Sequence, residues 1–266
     1  MKVGEIFTSD YREVPIEERG FRCGVELEIE NIKDHGAYAS NHWKVTTDDS
    51  LRNNGYEYTK GPMTYEEAIE AFVKLHKDLK TGADPFSERT SIHVHVNVAG
   101  LEETELKQFI LTYALLEPLF FDFVGPARQN NIYCVPLSYT FLPSIYKHPL
   151  QTLHAKWSKY AAFNICPVGC HEHSAGLSTV EFRHLYGTNR VEVFSDWLAA
   201  IRDLYLFVTT TPDYNLVQLL SNRTPVSLIA NSAVPTLAKK YSPYKIQEMC
   251  GDTVLDVKLS EGALVK

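Results

Sequence analysis

The chain has no long uninterrupted hydrophobic run. Its most apolar stretch, Phe109 to Val124, contains Thr112, Glu117, Pro118 and Asp122, which leaves it too short and too polar to cross a bilayer. Met1 to Gly20 lacks the apolar centre of a signal peptide. Cysteine is scarce: five residues, an odd number at scattered spacings, provide no disulfide framework. A reduced, cytoplasmic setting without membrane partners is the expectation. Basic charge is also in deficit, with 26 Lys and Arg against 33 Asp and Glu and a net charge of -7. That argues against a general nucleic-acid binder, which needs a basic face to displace counterions. It leaves a nucleotide substrate open, because a metal ion can carry phosphate charge. Missing too are a Gly-x-Ser-x-Gly elbow, a glycine-rich phosphate loop, a dinucleotide fingerprint, an internal repeat and any low-complexity linker.

What is present is an ordinary globular composition, 44% hydrophobic and 22% charged over 266 residues, enough for a sizeable core. Phe21 to Glu30 reads as a strand, with Val25, Leu27 and Ile29 alternating with Glu26, Glu28 and Glu30. Trp43 to Thr47 and Tyr56 to Thr59 read as two more, joined through Asp48-Asp49-Ser50 and the Asn53-Asn54-Gly55 turn. Thr64 and Glu67 form a capping box that opens a helix to about Lys80. Further strands are expected at Thr90 to Val98, Tyr160 to Ile165 and Ser178 to Leu185. A helix is expected over Glu102 to Val124, ended or kinked near Pro118. Another should start at Asn189, and Thr211-Pro212 fits the start of a third. Strands separated by unequal numbers of helices predict an α+β fold, with a mostly antiparallel sheet and helices on one face. The expected division is an N-terminal extension (1–20), a catalytic unit (21–210) and a C-terminal helical extension (211–266) within one compact body.

Three of these strands share a pattern. Glu26 and Glu28 leave the first on one side, and Val25, Leu27 and Ile29 on the other. In Ser91 to Val98, His93, His95 and Asn97 share a face opposed by Ile92, Val94, Val96 and Val98. Glu181 and Arg183 share a face opposed by Val180 and Phe182. Each motif alone fits a solvated sheet face or a salt-bridge ladder. Together, on three strands of one sheet, they would line one surface with carboxylates, imidazoles and a guanidinium. Same-face neighbours on a strand lie roughly 7 Å apart, which suits ligands shared between two ions better than two ligands on one. Carboxylates with one or two histidines suit Mg2+ or Mn2+, and the planar fork of Arg183 suits a phosphate oxygen.

The ordered motifs Gly24-Val25-Glu26-Leu27-Glu28, Trp43 to Leu51, Gly55-Tyr56-Glu57 to Pro62, Ser91 to Val96, Arg128 to Cys134, Lys159 to Asn164 and Thr179 to Thr188 resemble the amidoligase family. That family is grouped with glutamine synthetase and glutamate–cysteine ligase among carboxylate–amine ligases, and the similarity covers roughly residues 21–210. The resemblance implies a curved, glutamine-synthetase-like sheet and ATP-dependent amide formation through an acyl phosphate. It also implies that Glu26, Glu28 and Glu57 hold Mg2+, that His93 and Glu181 complete a second metal position near the ATP phosphates, and that Arg183 steadies the transferred phosphoryl group. His95, Asp48, Arg128, Lys159 and Asn164 would contribute substrate or nucleotide contacts or scaffolding. The implied partners are a small-molecule or peptide carboxylate and an amine.

Two other classes compete. A metal-dependent hydrolase would use the His-x-His pair and turn over without nucleotide, and a non-catalytic protein retaining the fold would bind magnesium nucleotide weakly. One segment departs from the pattern: Cys166, Cys170, His171 and His173 could bind zinc, but their spacing is tight for one tetrahedral ion and favours a loop near the cleft.

Overall fold

A computed structural model describes residues 1–7, 20–137, 145, 147–169 and 178–260. The described residues form eight strands: β1 (Cys23–Ile29), β2 (Ile32–Asp34), β3 (Lys44–Thr47), β4 (Tyr56–Met63), β5 (Lys80–Thr81), β6 (Ser91–Asn97), β7 (Phe163–Asn164) and β8 (Thr179–Tyr186). Six build one sheet in the order β3-β4-β1-β6-β8-β7, every neighbouring pair antiparallel, while β2 and β5 pair separately. The fold is α+β with an open antiparallel sheet, as the strand and helix pattern predicts.

The period of two sets the two faces of the sheet. Val25, Leu27, Ile29, Ile92, Val94, Val96, Val180 and Phe182 are all buried on one side. Helices α3 (Tyr65–Asp78) and α4 (Glu103–Val124) pack against that side, and α7 (Val191–Thr210) packs on both helices and, through Trp197, on His184 of β8; α1 (Val3–Phe7) and α2 (Gly36–His42) precede them, and α5 (Pro126–Gln129) and α6 (Leu150–Lys156) lie between α4 and α7 in sequence. The capping box at Thr64 and Glu67 is formed, with Thr64 Oγ1 accepting from the Glu67 amide and the Glu67 carboxylate accepting from the Thr64 amide. Val94 lies fully buried between Val25 of β1 and Phe182 of β8. Val94→Ala should lower unfolding free energy by about 1–3 kcal/mol. Denaturant titration checks this, and an unchanged midpoint would contradict the assigned inward face.

Three local expectations change. Helix α4 runs through Pro118 without ending there and stops at Gly125, whose φ of 85° suits glycine. Proline removes one backbone donor, but this helix is buried over most of its circumference and its packing holds the rod together. Helix α7 begins at Val191 rather than after Asn189; Arg190 caps it without a side-chain bond, and its amide instead donates to Thr188 Oγ1 at 3.2 Å. No helix starts at Thr211-Pro212. Thr211 instead closes the preceding helix, its amide and its hydroxyl both donating to the Phe207 carbonyl. The next helix starts at Leu216, with Asn215 Oδ1 accepting from the Gln218 amide at 2.9 Å.

The C-terminal helices Val226–Ala233, Pro235–Ala238 and Gly251–Ser260 pack against α4 and α7, and Thr253 Oγ1 donates to the Leu115 carbonyl at 2.9 Å. Among the described residues no helix is long and apolar enough to cross a membrane. Cys170, His171 and His173 lie outside the described residues.

Candidate active site

The strand order places β4, β1, β6 and β8 side by side, so the polar faces of four consecutive strands adjoin. Register then decides which side chains meet. Glu28 faces Glu57 across the β1–β4 pair, Glu26 faces His93 across β1–β6, and His95 faces Glu181 across β6–β8. Directly opposed residues on one face come within about 4.5–5.5 Å at the β-carbon, close enough for side chains to touch.

They do touch. Glu26 Oε1 lies 3.0 Å from His95 Nε2, and its Oε2 lies 3.2 Å from His93 Nδ1. His93 Nδ1 is also 3.2 Å from Glu181 Oε1, and His95 Nε2 is 4.0 Å from the same oxygen. Glu181 Oε1 accepts from Arg183 Nη1, and its Oε2 accepts from Asn164 Nδ2 at 2.8 Å. Asn164 is oriented in turn by the Cys166 amide, which donates to its Oδ1 at 2.9 Å. On the far side of His93, Ser91 Oγ sits 2.8 Å from Nε2 and donates to Glu28 Oε2 at 2.6 Å. Glu28, Ser91, His93, Glu26, His95, Glu181, Arg183 and Asn164 therefore form one connected polar cluster, and Glu28, His93, Asn164 and Glu181 are buried within it.

Electrostatics follow from this crowding. Burial alone would push the Glu26 carboxyl up, but the imidazoles of His95 and His93 outweigh it and hold Glu26 well below the usual carboxylate range. Burial would likewise lower His95; the Glu26 carboxylate reverses that and raises it to about 9. For Glu57 the compensation, from His93, is too small. Burial, reinforced by the carboxylates of Glu26, Glu28 and Asp48, raises it to about 7. Asp48 uses Oδ1 to accept the Ser50 amide at 2.7 Å and so fixes the loop that leads away from β3.

The remaining sequence-predicted residues lie elsewhere. Arg128 is buried; Nε donates to the His184 carbonyl at 2.8 Å and Nη2 to the Arg183 carbonyl at 2.6 Å. These two carbonyls belong to a β-bulge, where Arg183 and His184 together span the gap opposite the single residue His93. Arg128 replaces the partners that a regular ladder would supply. Lys159 is exposed, with Nζ 5.0 Å from the centre of the Tyr160 ring. Asn97, although on the same face as the histidines, accepts the Ala99 amide at the strand end.

Residues 26–192, more than half of the chain, match the model of a family described as "Putative amidoligase enzyme". The chain belongs to the amidoligase family. No curated protein matches it. Membership makes this amidoligase an enzyme of ligase type, and the matched span contains the whole polar cluster.

Ligand atoms of Glu26, His93 and Glu181 all lie within 4.8 Å of one another, near enough to share one metal ion. Beside them, the buried His95 Nε2 lies in charge contact with Glu26 Oε1 at 3.0 Å. A divalent cation fits this donor set. Hard carboxylate oxygens dominate, thiolates are absent from the cluster, and a cation would relieve the clustered negative charge that raises Glu57.

Two contributors escape a motif reading. Ser91 joins His93 to Glu28, and strand alternation could have exposed it, since it continues the His93, His95 face by two residues. The Tyr133 carbonyl, which accepts from Arg183 Nε at 3.2 Å, comes from a loop and carries no sequence signal.

Proposed function

We propose that this amidoligase is an ATP-dependent carboxylate–amine ligase that uses Mg2+ or Mn2+ and acts through an acyl phosphate. The observation that carries the reading is the convergence of Glu26, His93, His95, Glu181 and Arg183, from three adjacent strands, on one cluster of mutually touching groups. Glu26, Glu28 and Glu57 on one side, and His93 with Glu181 on the other, are the residues that would hold divalent cations. Bound cations would neutralise phosphate charge and favour an in-line geometry.

The chain's own groups do the rest. A substrate carboxylate oxygen attacks the γ-phosphorus of ATP, the bond to the ADP oxygen breaks, and an acyl phosphate forms. The amine then attacks the acyl carbon, inorganic phosphate leaves and the amide remains. Phosphoryl transfer of this kind needs positioning and charge stabilisation more than a protein nucleophile. Arg183 supplies a planar guanidinium beside Glu181, aimed by Arg128 through the bulge carbonyls and by the Tyr133 carbonyl. Asn164 fixes the Glu181 carboxylate, and Ser91 fixes His93 and Glu28. His95 inside the cluster, Asp48 with its charge acting on Glu57, and the exposed Lys159 are the residues this reading assigns to substrate or nucleotide contact.

The decisive assay incubates the protein with Mg2+, ATP and panels of acids and amines. Amine-dependent ADP release and a condensed product by mass spectrometry are expected. Turnover without nucleotide would support the hydrolase reading and end this one.

The Glu57 shift yields a pH prediction. Its carboxyl is raised from the ordinary 4.5 to about 7. The folded state thus holds its proton more tightly than the unfolded chain, so the associated stability is present below the unfolded value and is lost as pH rises through about 7. A cation bound to the charged carboxylate reverses that loss. The gain in melting temperature on adding Mg2+ should therefore be larger at about pH 8 than at about pH 5, measured against EDTA controls. An equal gain at both values would remove Glu57 from the cation site.

A further inference from the structure

Two tyrosines stand exposed beside Arg183 and belong to no core: Tyr133 is 54% and Tyr160 38% accessible. Their rings meet edge to face, with centres 5.5 Å apart and planes at 72°. The backbone that carries them is fixed, because the Val135 amide donates to the Tyr160 carbonyl at 2.7 Å and the Ala162 amide to the Val135 carbonyl at 2.8 Å. Arg183 ties this edge to the polar cluster, its Nε donating to the Tyr133 carbonyl and its Nη1 to Glu181. Lys159 holds its ammonium over the Tyr160 ring, 5.0 Å from the centre.

Passing outward from Glu181, the groups run carboxylate and imidazole, guanidinium, then an aromatic pair with an ammonium. A magnesium nucleoside triphosphate presents the matching sequence of metal-bound phosphates, further phosphate charge, then a flat base. We propose that Tyr133 and Tyr160 form the stacking subsite for the nucleotide base, with Lys159 exchanging its ring contact for a phosphate oxygen when nucleotide arrives. Exposed tyrosine faces are suited to this role, since every base offers a π-face and stacking requires no particular hydrogen-bond pattern. Lys159, on an exposed side chain, can make the exchange without disturbing packing. The inference rests on the ATP-dependent reading above and goes beyond it by separating base recognition from phosphate recognition.

The test uses the full chain with Mg2+ and two probes, ATP and inorganic tripolyphosphate, titrated calorimetrically. Wild-type protein should bind both, ATP more tightly. Tyr160→Ala should weaken ATP binding by about tenfold, toward the tripolyphosphate value, and Tyr160→Phe should retain wild-type affinity because the π-face remains. Tyr133→Ala should act in the same direction, and melting curves confirm that each variant is folded. If both probes bind but Tyr160→Ala and Tyr133→Ala leave ATP affinity unchanged, the base sits elsewhere and the subsite is overturned while the ligase reading stands. If neither probe binds wild-type protein, the nucleotide reading fails and the subsite fails with it.

Discussion

Glu181→Gln should reduce ATP-dependent amide formation by about a hundredfold to a thousandfold or more while leaving the protein folded, a loss of the size seen when one preorganised electrostatic contact to a developing charge is removed. Glu181 is the junction of the cluster: Arg183 and Asn164 donate to its two oxygens, and both His93 and His95 approach Oε1. Glutamine preserves shape and can still accept from Asn164, so the packing penalty is small. It loses the negative charge that pairs with Arg183 and that would bind a cation. Mg2+ affinity should therefore fall together with turnover. Coupled measurement of ADP release and product mass, alongside a melting curve, separates this from unfolding. A folded variant retaining a third or more of wild-type turnover would remove Glu181 from the catalytic centre.

Strand parity made much of this site legible. A polar residue at every second position, with Val, Leu or Ile between, fixes which side chains share a face, and Glu26, Glu28, His93, His95, Glu181 and Arg183 all lie where that period puts them. Parity says nothing about neighbours. The approach of Glu57 to Glu28 depends on β1–β4 register, set by hydrogen bonds between segments some thirty residues apart in sequence. Nor does parity survive the bulge in β8. His184 turns into the core, where its Nε2 meets the Tyr113 hydroxyl at 2.6 Å, and Leu185 is buried beside it. Burial among aromatic rings, with the nearby charge of Arg128, holds His184 well below the ordinary histidine value, so it packs as a neutral ring. Loop residues are less legible again. The guanidinium of Arg128 could serve phosphate or backbone equally well on chemical grounds, and only the carbonyls left unpaired by the bulge show which it takes. Thr211 shows the same limit at smaller scale, because a threonine before a proline can close the helix behind it as readily as open one ahead of it.

Phe182→Ala should lower unfolding free energy by about 3–5 kcal/mol, the largest stability effect anticipated here. Phe182 is fully buried on the face of β8 opposite Glu181 and Arg183. Its ring lies 5.0 Å from Phe163, 5.7 Å from Tyr113, 6.0 Å from Phe120 and 6.1 Å from Phe109, centre to centre. Truncation therefore opens a cavity among aromatic rings from α4 and β7, which cannot easily collapse because the helix is anchored along its length. At about 2–4 °C per kcal/mol for a chain of this size, the melting midpoint should drop by about 10 °C. The effect on chemistry should be different in kind from that of Glu181→Gln. Below the transition the folded fraction keeps its β6–β8 hydrogen bonds and the Arg128 contacts to the bulge, so Mg2+ affinity should remain within severalfold of wild type. A variant that melts normally would show that the aromatic cluster is not the core of this sheet. One that stays folded but loses cation binding would show that the two faces of β8 are coupled more tightly than side-chain alternation implies.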